Sequence, residues 1–315
     1  MPSPVQSNSL RLFRVVGIDV YLHWTWALVA IYQINRRADA YSSIGWSIAE
    51  YLTLFLIVLL HEFGHALACR QVGGRADTIM LWPLGGVAYV APPQRPGAVL
   101  WSIAAGPLVN VALFVLLGLG LAWSGALYWG RDDASNFDHY LQTVFIINFS
   151  LLVFNLLPIY PLDGGQIARA LLWFFTSRAR SLMISAWLGF IGVAVLALLA
   201  FQMRSLWMGF ITFFVFARCR QGLALAKVMS AMEQAPPRTN FPCPSCGAPP
   251  PNGPFWRCSK CRTTFDAYAT HCVCPSCQHY EPEIQCLVCR KVLLWETWLA
   301  SSTTPTIGQA DRPSA

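Results

Sequence analysis

The segment Leu52-Thr-Leu-Phe-Leu-Ile-Val-Leu-Leu-His-Glu-Phe-Gly-His65 places three ionisable residues in an apolar run long enough to be a membrane helix. His61 and His65 are four positions apart, so a helix brings both imidazoles to one face, where they can hold one metal ion. Glu62 lies between them and is free to act as a base. Ionisable groups are unfavourable in hydrocarbon, which indicates that these have a function. The alternative is a buried histidine pair that hydrogen-bonds to neighbouring helices.

The composition predicts a membrane protein with an added polar segment. The 315 residues are 55% hydrophobic and 12% charged. Residues 1–226 carry 14 Lys+Arg and 9 Asp+Glu, and the much shorter segment 227–315 carries 8 and 6. We therefore expect a charge-poor membrane core followed by a soluble domain.

Six segments are apolar enough to predict transmembrane helices, near 18–35, 45–70, 98–124, 140–161, 181–202 and 205–224. If the N-terminus is cytoplasmic, basic residues concentrate on the inner side. The inner side carries Arg11, Arg14, Arg70, Arg75, Arg95, Arg169, Arg178, Arg180, Arg218, Arg220 and Lys227, and the outer side Arg36, Arg37, Arg131 and Arg204. This bias predicts that both termini are cytoplasmic in a multi-pass protein, which we place in a bacterial plasma membrane.

Residues 76–91 predict a β-hairpin rather than a helix. Residues 76–82 are typical of a strand, Pro83-Leu-Gly-Gly86 of a turn, and residues 87–90 of a returning strand, while residues 12–20 can add a third strand. The free edge of such a sheet can bind an extended peptide by strand addition. A folded surface loop is the alternative. The predicted fold is thus mainly α, with about six transmembrane helices, a small membrane-associated β-sheet and a small cytoplasmic domain.

A third metal ligand is expected, because catalytic zinc usually has three protein ligands and one open position. The best candidate is Asp163, in the segment Asn155-Leu-Leu-Pro-Ile-Tyr-Pro-Leu-Asp-Gly-Gly165. Its prolines interrupt a helix and its glycines permit close approach of the backbone. Irregular backbone at membrane depth occurs where it is buried in protein or lines a wet cavity. Asp163 could instead cap a cytoplasmic helix.

These segments together resemble the site-2 protease family of intramembrane metalloproteases (peptidase family M50). The resemblance rests on His61-Glu-Phe-Gly-His65, Pro83-Leu-Gly-Gly86, Ala105-Gly-Pro-Leu-Val-Asn110 and Asn155 through Gly165, which arrive in the family's order. It implies that His61, His65 and Asp163 bind a catalytic zinc ion and that Glu62 is the general base. It also implies a peptide substrate in or near the bilayer, which must unwind locally before hydrolysis.

Three further residues are candidates near this site. Asn155 can donate to the oxyanion through its side-chain amide, and Asn110 is the second choice for that role. For both, the alternative is hydrogen bonding between helices, which we favour for Asn110. His23 matches a histidine near the start of the family's first helix, but beside Trp24 and Trp26 it could equally be an interfacial residue.

The cysteines predict structural zinc in the second segment. Eight of them form four Cys-x-x-Cys pairs: Cys243 with Cys246, Cys258 with Cys261, Cys274 with Cys277, and Cys286 with Cys289. Taken in chain order, the first two pairs form one four-cysteine zinc ribbon and the last two form another. Pairing across the sets stays possible, because His271, Cys272 and His279 are spare ligands. A disulfide cluster is the alternative, which a cytoplasmic location disfavours.

The expected organisation is a transmembrane metalloprotease core (1–226), a linker (227–241), a tandem zinc-ribbon domain (242–300) and a disordered tail (301–315). The family often carries an accessory domain of a different type, so the ribbons are a departure that leaves regulation open. The segment from 227 has a net charge of only +2 (8 − 6) and no basic stripe, which disfavours nucleic acid and favours a protein partner.

Three functions are compatible with a metal in the membrane: a zinc endopeptidase, a catalytically silent scaffold or zinc sensor, and a metal transporter. A transporter needs ionisable residues along several helices, whereas the acidic residues at membrane depth are mainly Glu50, Glu62 and Asp163. A silent scaffold has no need of Glu62, which is not required as a ligand. The sequence therefore favours the enzyme, acting on membrane-spanning proteins with one catalytic and two structural zinc ions.

Overall fold

The computed structural model describes residues 9–37, 40–82, 85–126 and 135–303. The chain divides into two compact units, with the boundary between Ala224 and Leu225. The elements that begin in the first unit are β1 (Ser9–Val15), β2 (Ile18–His23), α1 (Trp26–Arg36), α2 (Ile44–Gln71), β3 (Arg75–Trp82), β4 (Gly85–Ala91), α3 (Pro96–Ser124), α4 (Asn136–Leu156), α5 (Asp163–Trp173), α6 (Arg178–Gln202) and α7 (Leu206–Gln234). Those of the second unit are β5 (Trp256–Arg257), β6 (Thr264–Phe265), β7 (Glu283–Gln285), β8 (Val292–Leu294) and α8 (Trp295–Thr303).

The first unit contains a four-stranded sheet in the order β1-β2-β3-β4. The predicted hairpin is present as antiparallel β3 and β4. The predicted third strand over 12–20 is wrong in detail, because Val16 and Gly17 have positive φ angles and turn the chain between β1 and β2. Strand β2 then pairs with β3 in parallel, so β1 and β4 are the two edges. Pro83 and Leu84 of the predicted turn lie outside the described residues.

The prediction of a first transmembrane helix over 18–35 is wrong. Its first part is strand β2, in which buried Ile18 and Val20 alternate with less buried neighbours, as expected for β-branched residues on one face of a sheet. Its second part is α1, whose 11 residues extend only about 16 Å at 1.5 Å per residue. Such a helix is too short to cross a bilayer.

Four helices in the described part of the chain are long and apolar enough to cross a membrane: α2, α3, α4 and α6. They correspond to the second through fifth predicted spans, so the expected six are not all found. Helix α4 begins with a capping box between Ser135 and Asp138 and ends at Leu156, earlier than predicted, where the chain approaches Pro158. Helix α7 has 29 residues but does not reach the same apolarity.

Close helix packing brings the metal-binding segments together. Helices α2 and α3 touch at Gly64, where an added Cβ would lie 2.7 Å from the Ala105 carbonyl oxygen. At the start of α5, an added Cβ on Gly164 would overlap the Leu156 carbonyl, and one on Gly165 would lie 2.5 Å from the Tyr160 backbone nitrogen. The glycines after Asp163 therefore let α5 fold back against the preceding loop, as the Asp-Gly-Gly sequence predicts.

The second unit is a small domain built on short hairpins around an aromatic core that includes Trp256, Tyr268, Trp295 and Trp298. Of residues 227–241, predicted as a linker, those up to Gln234 continue helix α7, and Pro237 pairs with Pro251. Helix α8 extends to Thr303, so the first residues of the predicted disordered tail are helical, and residues 304–315 lie outside the described part.

Candidate metal centres

His61 and His65 lie on one face of α2, as their spacing predicts. Both are buried, and their Nε2 atoms are 3.1 Å apart. Asp163 is the first residue of α5, and its Oδ2 atom lies 3.0 Å from the Nε2 atom of His61 and 3.3 Å from that of His65. The alternative of Asp163 as a helix cap does not hold, because Leu162 occupies the N-cap position. The fold therefore brings together three donor atoms from two distant parts of the sequence.

The spacing of these atoms fits a tetrahedral zinc ion. Bonds of about 2.0–2.1 Å to nitrogen and oxygen separate neighbouring ligand atoms by about 3.3 Å. The three observed separations, 3.0–3.3 Å, are close to that value. The Oδ2 atom of Asp163 is buried and has no hydrogen-bond partner among the described residues. A carboxylate oxygen placed in this way can be stabilised by a cation, so His61, His65 and Asp163 could hold a metal.

The outer nitrogens of both imidazoles are hydrogen-bonded. His65 Nδ1 donates to the Ser102 carbonyl oxygen at 2.9 Å, and His61 Nδ1 lies 2.5 Å from Asn110 Oδ1. A proton on Nδ1 leaves the lone pair of Nε2 free, which is the usual arrangement of metal-binding histidines. The alternative of a satisfied structural pair explains the Nδ1 atoms only, because both Nε2 atoms face the same carboxylate.

Glu62 is buried beside the histidines but is not one of the converging ligands. Its Oε2 atom accepts a hydrogen bond from the Ala88 backbone N–H in strand β4, at 2.7 Å. Strand β4 can pass this close because residue 86 is glycine: an added Cβ there would overlap the Glu62 side chain. The carboxylate of Glu62 is thus held at the edge strand of the sheet.

The other three candidates are Asn110, Asn155 and His23, and only the first contacts a residue of this cluster. Asn110 is buried and touches His61, as described above. Asn155 is half-buried near the end of α4, and its side-chain amide makes no hydrogen bond to another described residue. His23 stacks on Trp82, with ring centroids 4.4 Å apart, and its Nδ1 atom is 2.6 Å from the Thr25 hydroxyl. It therefore lies beside the end of β3 and is not among the converging ligands.

Several residues that shape the site were not identified from the sequence: Ser102, Gly106, Ala88 and Asn148. Ser102 and Ala88 act through the backbone, which leaves no signal in residue type, and Gly106 was noted as part of a motif without its contact with the histidines. Asn148 did leave one, since an amide in the middle of an apolar helix commonly hydrogen-bonds to another helix. Its Oδ1 accepts from Asn110 Nδ2 at 2.8 Å.

The second unit contains two four-cysteine clusters, and the pairing expected from chain order is wrong. One cluster comprises Cys243, Cys246, Cys286 and Cys289, and the other comprises Cys258, Cys261, Cys274 and Cys277. The pairs are thus nested, with the first joining the last. Four sulfur–sulfur distances between turns lie at 3.5–3.9 Å, from Cys261–Cys274 to Cys243–Cys289. A tetrahedral ion with Zn–S bonds of about 2.3 Å requires about 3.8 Å.

The four Cys-x-x-Cys turns share one backbone design. In each, the residue after the second cysteine has a positive φ angle and donates its N–H to the carbonyl of the first cysteine. These residues are Gly247, Arg262, Gln278 and Arg290. The sulfurs in every turn are free rather than disulfide-bonded. At Cys261, hydrogen bonds with the side chain and backbone of Thr263 lower the thiol pKa to about 6.

The spare ligands considered from the sequence are not in either cluster. Cys272 is fully buried in the aromatic core, and His279 lies 3.9 Å from Glu281. Together with His271, these residues are absent from the converging groups found in the described part of the second unit. The eight paired cysteines therefore form two closed sets of four ligands, the arrangement of structural rather than catalytic zinc.

Comparison with known proteins agrees with the geometry of the first unit. The model of peptidase family M50 matches residues 49–128 and 126–199, a range that contains His61, Glu62, His65 and Asp163. A zinc metalloprotease of Methanocaldococcus jannaschii is 34% identical over 166 residues, which are 52% of this chain and 45% of that protein. Rip3 of Mycobacterium tuberculosis is 28% identical over 242 residues, covering 68% of this chain and 58% of Rip3. The chain thus spans about half the length of these relatives.

A solved structure shares the fold. The site-2 protease from Methanocaldococcus jannaschii superposes with a TM-score of 0.50 at 28% identity, covering 68% of this chain and 95% of that one. The first unit therefore shares the fold of a site-2 protease, and its converging histidines and aspartate lie within the region that the family model matches. The chain belongs to peptidase family M50, the site-2 protease family, with cysteine clusters after the matched region that fit a zinc-ribbon extension.

Proposed function

We propose that this protein is an intramembrane zinc endopeptidase that hydrolyses peptide bonds of membrane-spanning substrates, as in regulated intramembrane proteolysis. The observation that carries the proposal is the triangle of His61 Nε2, His65 Nε2 and Asp163 Oδ2, with separations of 3.0–3.3 Å and Glu62 beside it. The three residues would hold the catalytic zinc and leave its fourth position open. Bound zinc activates a water molecule and polarises the carbonyl group of the scissile bond.

Glu62 is proposed as the general base. Its carboxylate would take a proton from the attacking water and pass it to the departing amine. The hydrogen bond from Ala88 N–H to Oε2 leaves the other carboxylate oxygen, Oε1, for the proton. Burial of Glu62 excludes bulk water from that transfer. A scaffold or zinc sensor would not require a carboxylate held in this place.

Strand β4 is proposed as the binding surface for the unwound substrate. Ala88 donates its N–H to Glu62, so this N–H points away from β3, toward the free edge. Every second residue of a strand shares that direction, which assigns Val90 N–H to the same edge. A substrate strand added there would lie next to Glu62. Asn155 is proposed as an oxyanion donor, since its amide is not engaged elsewhere in the described structure, and His23 as a residue near the substrate.

The cysteine clusters are proposed to hold two structural zinc ions in addition to the catalytic one. The second unit has strands of only two or three residues, so metal would supply much of its stability. With little net charge, it is proposed as a protein-binding or regulatory module rather than a nucleic-acid reader.

Both termini would be cytoplasmic, in a bacterial plasma membrane. His61 lies ten residues before the end of α2 at Gln71, about 15 Å from its inner end.

The function is tested with Glu62→Gln in the full-length protein, mixed with a library of single-pass membrane proteins. We expect cleavage by the wild type, at least a 10²-fold lower rate in Glu62→Gln, and the same amount of bound zinc in both. Glu50→Gln is the matched control: Glu50 is the other buried carboxylate of α2, but it bonds to Arg37 and Tyr41 rather than to the histidines. Cleavage by Glu62→Gln at the wild-type rate would refute the mechanism. Bound zinc without cleavage in any protein would favour the scaffold or sensor.

A further inference from the structure

Two buried asparagines connect helix α4 to His61 of α2. Asn110 of α3 and Asn148 of α4 are both 0% exposed. His61 Nδ1 is 2.5 Å from Asn110 Oδ1, and Asn110 Nδ2 donates to Asn148 Oδ1 at 2.8 Å. Asn148 Nδ2 in turn donates to the backbone carbonyl oxygen of Asn110 at 2.9 Å. These three hydrogen bonds form a relay from a backbone carbonyl to a metal-facing imidazole.

The donors and acceptors of the relay can be arranged in one way only, and the backbone carbonyl of Asn110 sets that arrangement. A carboxamide accepts at its oxygen and donates at its nitrogen, and a backbone carbonyl can only accept. Asn148 must therefore point its NH2 group at the Asn110 carbonyl and its oxygen at the Asn110 side chain. Asn110 must then point its NH2 group at Asn148 and its oxygen at His61. An oxygen at that place requires the proton of His61 on Nδ1, which leaves Nε2 free for metal.

The two histidines differ in how this is achieved. His65 donates directly to the Ser102 carbonyl oxygen, which cannot reverse its role. His61 faces a side-chain amide, which can rotate by half a turn and exchange oxygen for NH2. A reversed Asn110 would donate to His61 Nδ1 and move the imidazole proton to Nε2, onto the atom that faces Asp163. A second amide is therefore needed to fix the orientation of the amide that faces His61, whereas His65 needs none.

We propose that Asn148 is a positioning residue that fixes the orientation of Asn110 and so keeps His61 in its metal-binding tautomer. The inference rests on the proposed metal centre and assigns a role to a residue that does not touch the metal ligands. It predicts that Asn148 controls metal affinity from helix α4. Removal of hydrogen-bond partners of metal-binding histidines typically weakens binding about 10–100-fold.

The test uses the full-length protein loaded with Co²⁺ and a chelator titration. The nitrogen- and oxygen-bound ion is followed by its ligand-field absorption, and the cysteine clusters by their sulfur charge-transfer bands, which serve as an internal reference. Asn148→Leu is expected to release the first ion at about 10–100-fold lower chelator concentration, with the thiolate bands unchanged. Gln142→Met is the control, because Gln142 is another buried amide of α4 and, among the described residues, its side chain bonds to the Ala126 carbonyl rather than to Asn110. It should release metal as the wild type does.

A rescue experiment separates positioning from packing. An aspartate at position 110 has acceptors at both ends, so it presents oxygen to His61 in either orientation. Asn110→Asp should therefore restore most of the affinity lost in Asn148→Leu, whereas a packing defect at position 148 would persist. Asn148→Ser is the alternative where the leucine variant does not fold, since a hydroxyl can donate or accept toward Asn110 and leaves its orientation unfixed.

The outcomes distinguish the relay from the proposed function. Wild-type affinity in both Asn148→Leu and Asn148→Ser, with Co²⁺ bound, would overturn the relay alone. Weakened binding that Asn110→Asp does not restore would also overturn it. Absence of any nitrogen- and oxygen-bound Co²⁺ in the wild type would instead overturn the metal centre itself, and the relay with it.

Discussion

Gly106 illustrates how much of the site depends on a single missing side chain. It lies in α3 facing the metal-binding pair, where an added Cβ would overlap His65 Nε2 and lie 2.9 Å from His61 Nε2. In the interior of a helix, Gly→Ala is ordinarily stabilising by about 0.8–1 kcal/mol. Here the methyl group would occupy the space of the ligand atoms, so a helix-favouring change is expected to damage the site.

We predict that Gly106→Ala binds metal at least 10-fold more weakly, without loss of the folded helices. Bound zinc per chain and the Tm by circular dichroism provide the measurement. Gly118→Ala is the control on the same helix, because its added Cβ would meet only the Phe145 ring at 3.7 Å, an ordinary contact. Full zinc occupancy in Gly106→Ala would show that the histidines are not held where the structure places them.

Residues of this site differ in how far the sequence could predict them. The positions of His61, Glu62 and His65 follow from helical spacing alone, since one turn of α2 sets them. Asp163 could be proposed from its prolines and glycines, but only the folded chain brings it within 3.0 Å of His61. Asn148 was missed as a member of the site because its contact with Asn110 spans 38 positions between helices.

Strand β4 carries the proposed substrate edge at the scale of secondary structure. The face formed by Ala88 and Val90 packs toward α2, while Val87 and Tyr89 are exposed. The edge is a row of backbone groups rather than side chains, so a change of side chain should matter less there than the loss of an N–H.

We predict that Val90→Pro lowers the rate of substrate cleavage, by a factor of roughly ten, with zinc unchanged. Proline removes one N–H and is tolerated where that N–H faces outward from an edge strand. A single backbone hydrogen bond of about 1 kcal/mol accounts for a factor of about five, and loss of strand alignment adds to it. Tyr89→Thr is the control, because it alters an exposed side chain and retains every N–H. Unchanged cleavage by Val90→Pro would argue against strand addition at β4.

Helices and strands could be predicted from the sequence where the pattern of apolar residues fitted only one kind of secondary structure. Helices α2, α3, α4 and α6 are long apolar runs, and their existence followed from composition. The segment 18–35 was also predicted to be a transmembrane helix, but it contains strand β2 and short α1. An apolar run of six residues does not distinguish a buried strand from a helix, and the pairing of β2 with β3 decides between them.

At the scale of the whole molecule, the nested arrangement of the cysteine pairs in the second unit can be tested by replacing two cysteines at a time. Each cysteine-to-serine substitution removes one zinc ligand. A four-cysteine site should lose its zinc ion whether one or two of its cysteines are replaced. We predict that Cys243→Ser with Cys289→Ser loses one zinc ion per chain, and that Cys243→Ser with Cys258→Ser loses two. Metal analysis of the purified full-length variants gives the count. Pairing in chain order predicts the reverse, so the two arrangements cannot give the same result.

The sequence by itself determined what depends on short separations along the chain: the histidine pair with its glutamate, the long apolar helices and the four Cys-x-x-Cys turns. In each case the backbone geometry of one turn or one helix sets the chemistry. Only the tertiary structure decided which distant segments meet. Asp163 reaches the histidines, Asn148 reaches His61 through Asn110, and the first cysteine turn joins the last. These contacts depend on how helices and hairpins pack, which no local pattern specifies.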